Sequence, residues 1–240
     1  MSQHQQRQID KLKKMVLALG GLVEESVEGA IRAVETRDTQ LAAQIIEGDA
    51  QIDLLEIDIE EECLHTLALY QPMAFDLRYV VSVLKINGEL ERIADLAVNI
   101  AEQACFMALE PPIDSVPFDL LGEMRKVRSM LERSLDALVD IDTEAAEWVR
   151  STDDEVDEVH RRMYILVEEA IHKNPDRVAV LINLLNCSRH LERIGDHAVN
   201  IAEDVIYMAK GSILRHSREH TIPKERIPTS RYQPPFDDRN

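Results

Sequence analysis

Apolar residues recur in threes and fours along most of the chain. Between residues 9 and 34, Leu12, Val16, Leu19, Val23, Val27, Ala30 and Val34 share one face of an amphipathic helix, weakened in its middle by Gly20-Gly21. "RDTQ" at 37–40 offers Asp38 or Thr39 as the N-cap of a second helix, whose stripe is Ile45, Ile52, Leu55, Ile59 and Cys63. Pro72 in "LYQPMAFD" ends it, and a third helix is predicted from about Asp76 to Leu109. Each helix spans roughly 30 residues, or about 45 Å.

The plan then repeats. "EPPIDSVP" at 110–117 reads as a linker. Leu121, Met124, Met130, Leu135 and Leu138 mark a fourth helix, and "IDTE" at 141 matches the capping turn "RDTQ". A fifth carries Val149, Val156, Val159 and Met163 and breaks at Pro175 in "HKNPD"; a sixth runs to about Lys210, with Gly211 as its C-cap. The expectation is an all-α protein of two tandem three-helix bundles packed side by side, over residues 1–110 and 117–211. Residues 212–240 are proline-rich, polar and without period, and are expected to form a disordered tail of net charge +2.

The duplication is written most plainly in "ELERIADLAVNIAE" (89–102) and "HLERIGDHAVNIAE" (190–203), identical at eleven of fourteen positions. Each copy carries a Glu and an Asp four residues apart, Glu91 with Asp95 and Glu192 with Asp196, so the carboxylates stack on one helix face. The preceding helices carry Asp49 with Asp53, and Asp153 with Asp157, at the same spacing. A short turn folds each helix pair into an antiparallel hairpin. Asp49 and Asp95 are equidistant from Pro72, as are Asp53 and Glu91. The pairs Asp153 with Asp196 and Asp157 with Glu192 are both centred between Asn174 and Pro175. Four carboxylates per half therefore meet at one level. Clustered carboxylates need protons, arginines or cations beside them, and hard metal ions take oxygen ligands. Glu56 and His160 follow one turn on and are possible additional ligands. Asn99 and Asn200 continue the same polar stripes and are further candidates.

Composition narrows the function. The net charge of −18 excludes non-specific nucleic-acid binding and suits cations or a basic partner. Aromatics are only 4% of residues, as expected of aliphatic helix packing. Cys63, Cys105 and Cys187 are odd in number and widely spaced, and the two in apolar stripes are expected to be buried thiols. No signal-peptide core and no run of about 20 apolar residues occurs, so a cytoplasmic protein with no membrane insertion is expected. His197 is expected at the surface or at a partner contact, and Trp148 between helices.

The segments "GGLVE", "IEGD", "QPMAFDLR", "LERIAD" and "LERIGDHAVNIAE" resemble the PhoU family of phosphate-signalling proteins, over roughly residues 9 to 211. The resemblance implies a non-enzymatic negative regulator of phosphate uptake and of the phosphate-starvation response. Its partners would be the transporter's ATPase and a membrane sensor histidine kinase. It also implies divalent or trivalent metal ions, in multinuclear iron or zinc clusters, on Asp49, Asp53, Glu91, Asp95, Asp153, Asp157, Glu192 and Asp196. A homodimer is expected. Ala94 stands where the second copy has Gly195, so packing near the two motifs is expected to differ. Two other readings compete. Glu62-x-x-His65 and Glu169-x-x-His172 have the spacing of a ferritin-like di-metal carboxylate protein handling iron or oxygen. A metal-free helical scaffold would use the acids for solubility alone. No Gly-rich phosphate loop or nucleophile elbow is found.

Overall fold

The computed structural model describes residues 3–111 and 118–212, so most of the predicted linker and tail lie outside the described residues. Among the described residues there are six α-helices: α1 Gln3–Thr36, α2 Thr39–Tyr70, α3 Phe75–Leu109, α4 Leu120–Asp140, α5 Thr143–Lys173 and α6 Val178–Lys210. No strand occurs among the described residues. The chain is all-α, with α1–α3 and α4–α6 repeating one arrangement.

Matching sequence signals set the boundaries. Asp38 caps α2 by accepting hydrogen bonds from the Gln40 and Leu41 N–H groups, at 2.9 and 3.0 Å. Asp142 caps α5 in the same way from Glu144 and Ala145, at 2.8 and 3.2 Å. Each cap satisfies donors that the helix cannot, a gain of about 1 kcal/mol. Gly211, at φ 72°, closes α6 in the left-handed conformation that favours glycine. The two hairpin turns differ. The first uses positive φ at Gln71 and Ala74 around Pro72, and the second a single 3-10 turn, Pro175–Arg177.

The predicted stripe of α1 is buried, as are Ile86, Leu90 and Ile93 of α3, Leu191 and Ile194 of α6, and Cys63 and Cys187. One expectation is corrected: Leu121 is exposed and Leu120 takes its place in the core, one position round the helix. α1 runs unbroken through Gly20. Gly20 lies where α4 approaches, and a Cβ there would sit 2.9 Å from Leu135 Cδ2. Trp148 is half-buried, with the Arg133 guanidinium 3.9 Å above its ring.

The two halves meet chiefly through α3 and α6, which run antiparallel. Arg78 Nε donates to the Met208 carbonyl (3.3 Å), Lys85 Nζ pairs with Asp204 Oδ1 (3.0 Å), and Glu89 meets His197 further along. One continuous apolar core joins both halves.

Candidate metal centres

The second hairpin turns three of its four acids toward one another. In the second half Asp153, Asp157 and Asp196 bring carboxylate oxygens within 4.8 Å of one another. Glu192 stands outside these three but senses them: burial first, then the charges of Asp196, Asp157 and Asp153, raise its carboxyl to about 7. In the first half, burial raises Asp49, with Asp53 and Asp95 adding to the effect. Glu91 is raised by burial and by Asp95, Glu56 and Asp53. Asp49 thus feels Asp95 and Glu91 feels Asp53 across the first hairpin, but among the described residues the first half brings no three carboxylates as close together as the second does.

These residues fit a hard cation. The donors are carboxylate oxygens from two antiparallel helices. Asp49 Oδ1 is shut off from solvent and accepts no hydrogen bond among the described residues, a costly state for a carboxylate. A bound cation would supply countercharge to the acids of each half. The neighbouring residues differ between halves. Asn87 donates to the Glu56 carbonyl (2.9 Å) and to its Oε1 (3.2 Å), holding that side chain at the edge of the first group. At the matching place Ser188 Oγ lies 2.8 Å from His160 Nδ1 and donates to Glu123 Oε1 at 2.9 Å. The other candidates use their amide nitrogens elsewhere: Asn99 on the Asp95 carbonyl (2.7 Å), Asn200 on Glu89 across the interface (2.9 Å).

The ferritin-like spacing does not assemble with these acids. Glu62 pairs with Lys11 on α1, and Glu169 lies 3.9 Å from Lys173 on its own helix.

The PhoU domain matches residues 16–104 and again 121–205. The chain belongs to the PhoU family. It is 37% identical over 211 residues to a phosphate-specific transport system accessory protein PhoU homolog of Aquifex aeolicus, covering 88% of this chain and 95% of that one. A PhoU homolog of Pseudomonas aeruginosa is 36% identical over 218 residues, 90% of this chain and 89% of the relative. The crystal structure of PhoU from Pseudomonas aeruginosa superposes with a TM-score of 0.84 at 35% identity, covering 86% of this chain and 99% of that one. The phosphate transport system regulatory protein PhoU from Streptococcus pneumoniae gives 0.76 at 28% identity, over 87% of this chain and 98% of that one.

On this PhoU fold, two features went unread in the sequence. Glu123 is 2% exposed in α4, and burial raises its carboxyl to about 8 despite the Ser188 hydrogen bond. Aligning the two capping turns places it opposite Leu19, so a charge interrupting a predicted stripe was the available signal. His197 is the second. It is not a surface residue but pairs with buried Glu89 across the interface between halves, at 2.7 Å. The three positions at which the PhoU repeats differ are 89/190, 94/195 and 96/197, and this pair occupies two of them.

Proposed function

We propose that this PhoU-family chain is an accessory regulator of phosphate transport, acting in the cytoplasm as a negative regulator of phosphate uptake and starvation signalling. It acts by protein–protein contact, with the transporter ATPase and a sensor histidine kinase as partners, as a homodimer and without catalysis. Each half carries a metal site on its four hairpin acids. The reading rests above all on near-full-length similarity to proteins that bear the phosphate-transport accessory name. The converging Asp153, Asp157 and Asp196, repeated in plan by the first half, support the metal sites.

The chain's own residues do the holding. The turns at Pro72 and Asn174–Pro175 fix the register of each hairpin, which aligns the acids before any cation arrives. Burial and the neighbouring acids raise Glu192 to about 7, so cation binding there at neutral pH displaces a proton. No helix of the described residues is long and apolar enough to cross a membrane.

The deciding experiment places the gene in a bacterial strain lacking its own PhoU protein and reads a starvation-responsive reporter in phosphate-replete medium. Restored repression is the expected outcome. A reporter that stays derepressed, with the protein present at normal level, would show that the chain does not perform this role.

A further inference from the structure

The outer face of α2 carries an apolar stripe that the core does not use. Ile46, Ala50, Leu54, Ile57, Leu64 and Ala68 follow the three-and-four spacing of one helix face and are all exposed, with Leu54 at 67%, Ile57 at 51% and Leu64 at 52%. Isolated exposed leucines are ordinary, but six apolar residues on one helix face, interrupted at Glu61, are not. The duplication supplies an internal control. The matching positions of α5 are Arg150, Asp154, Glu158, Arg161, Glu168 and His172. At these six positions the same fold tolerates polar residues throughout, with exposed Ile165 at the place of Glu61, so the apolar character of α2 is not a requirement of packing.

The edges of the stripe narrow the occupant. α2 contains eight acidic residues and no Lys or Arg, and Glu47, Asp58, Glu60 and Glu61 are exposed beside or within the stripe. A second copy docked through this face would set acid against acid, and an anionic lipid surface would repel it. A partner helix with an apolar ridge and basic edges meets both the hydrophobic and the electrostatic demand. From residue 46 to residue 68 the stripe is about 33 Å long, enough for a partner helix of about 20 residues.

We propose that the outer face of α2 is a docking surface for an amphipathic helix of another protein, one with leucine-like residues on its ridge and Lys/Arg along its edges. The first metal site adjoins it, since Asp53 precedes Leu54 on the same helix. The proposal goes beyond the role in phosphate regulation and does not rest on it. A failed complementation of the reporter strain would leave it standing.

The test uses the full chain and a fluorescent helical peptide of about 20 residues, with leucines at three-and-four spacing and lysines on both edges. Binding is read by anisotropy at physiological salt. The variant L54S/I57S/L64S is expected to bind at least about 10-fold more weakly, with unchanged helicity by circular dichroism. The variant I165S, on the equivalent face of α5, is expected to bind within about twofold of the parent. The proposal falls if the peptide fails to bind the parent, or if the triple variant binds as well as the parent. It falls also if both variants weaken alike. If light scattering finds a parent dimer that the triple variant dissolves, a second copy occupies the stripe and the proposal is overturned. If deleting residues 213–240 strengthens peptide binding about 10-fold or more, the occupant is the chain's own C-terminal segment, and the proposal is likewise overturned.

Discussion

His197 Nδ1 lies 2.7 Å from Glu89 Oε2, and this contact joins the two copies of the repeat through residues at which the copies differ. Burial alone would raise Glu89. The hydrogen bonds from His197 and Asn200, and the charges of His197 and Arg92, outweigh it and hold the carboxyl below its ordinary value. H197L leaves a buried carboxylate short of a partner and is expected to cost about 2–4 kcal/mol in urea unfolding. E89L/H197L removes both polar groups and is expected to be closer to the parent than H197L alone. A double variant as unstable as the sum of the singles would show that the pair is not coupled.

The same carboxyl sets an acid limb of stability. Because its folded pKa is lowered, its contribution is present above the unfolded value of 4.5 and is lost as pH falls through the folded one. In E89L/H197L the decline of melting temperature below pH 4.5 is expected to be shallower than in the parent.

Glu123 acts with the opposite sign. Its folded carboxyl is raised to about 8, so the folded state holds a proton that the unfolded state releases near 4.5. Stability is expected to fall as pH rises between those values, by a few kcal/mol in all on the order of 1.4 kcal/mol per unit. E123L restores the residue type found at Leu19 and is expected to flatten this slope in pH-dependent unfolding. An unchanged slope in E123L would place the protonation elsewhere.

Metal content tests the hairpin acids directly. D53A/E91A and D157A/E192A are each expected to remove about half of the metal measured by elemental analysis, with helicity retained, since each half holds its own set. Raising pH through 7 is expected to favour binding to the second half, because Glu192 must give up its proton to ligate. Full metal content in either variant would overturn the ligand assignment for that half.

Gly195 sits over the second acid group, and an added Cβ would lie 3.6 Å from Asp153 Oδ1 and from Met130 Cε, an ordinary contact. Ala94 occupies the matching site in the first copy, buried. G195A is therefore expected to stabilise the chain by about 0.5–1 kcal/mol through helix propensity, without loss of metal. A lowered melting temperature would reveal strain that the spacing does not show.

Periodicity in threes and fours carried most of the fold, because every long helix buries one stripe and the caps at Asp38 and Asp142 are local. The hairpin acids were legible for a geometric reason. An antiparallel pair with a short turn has one free parameter, and Pro72 and Pro175 mark it. Glu123 and His197 were not legible in the same way, since their partners come from other helices and no local spacing encodes them. The outer stripe of α2 was hidden by the inner one: with apolar residues on both faces, the helix reads simply as apolar.

The antiparallel α3–α6 contact also bears on the symmetry of the duplication. Two identical ancestral halves meeting in this way would have formed a symmetric pair in which each could replace the other. In the present chain Glu89 meets His197 on one side of that near-symmetry, whereas the mirrored positions hold Leu96 and His190. A first half placed against another first half would set Glu89 opposite Leu96, a buried carboxylate against a leucine. The Lys85–Asp204 ion pair is likewise one-sided, since the mirrored positions hold Gln103 and Asn186, so the two halves form an ordered pair in which neither can stand in for the other at this interface.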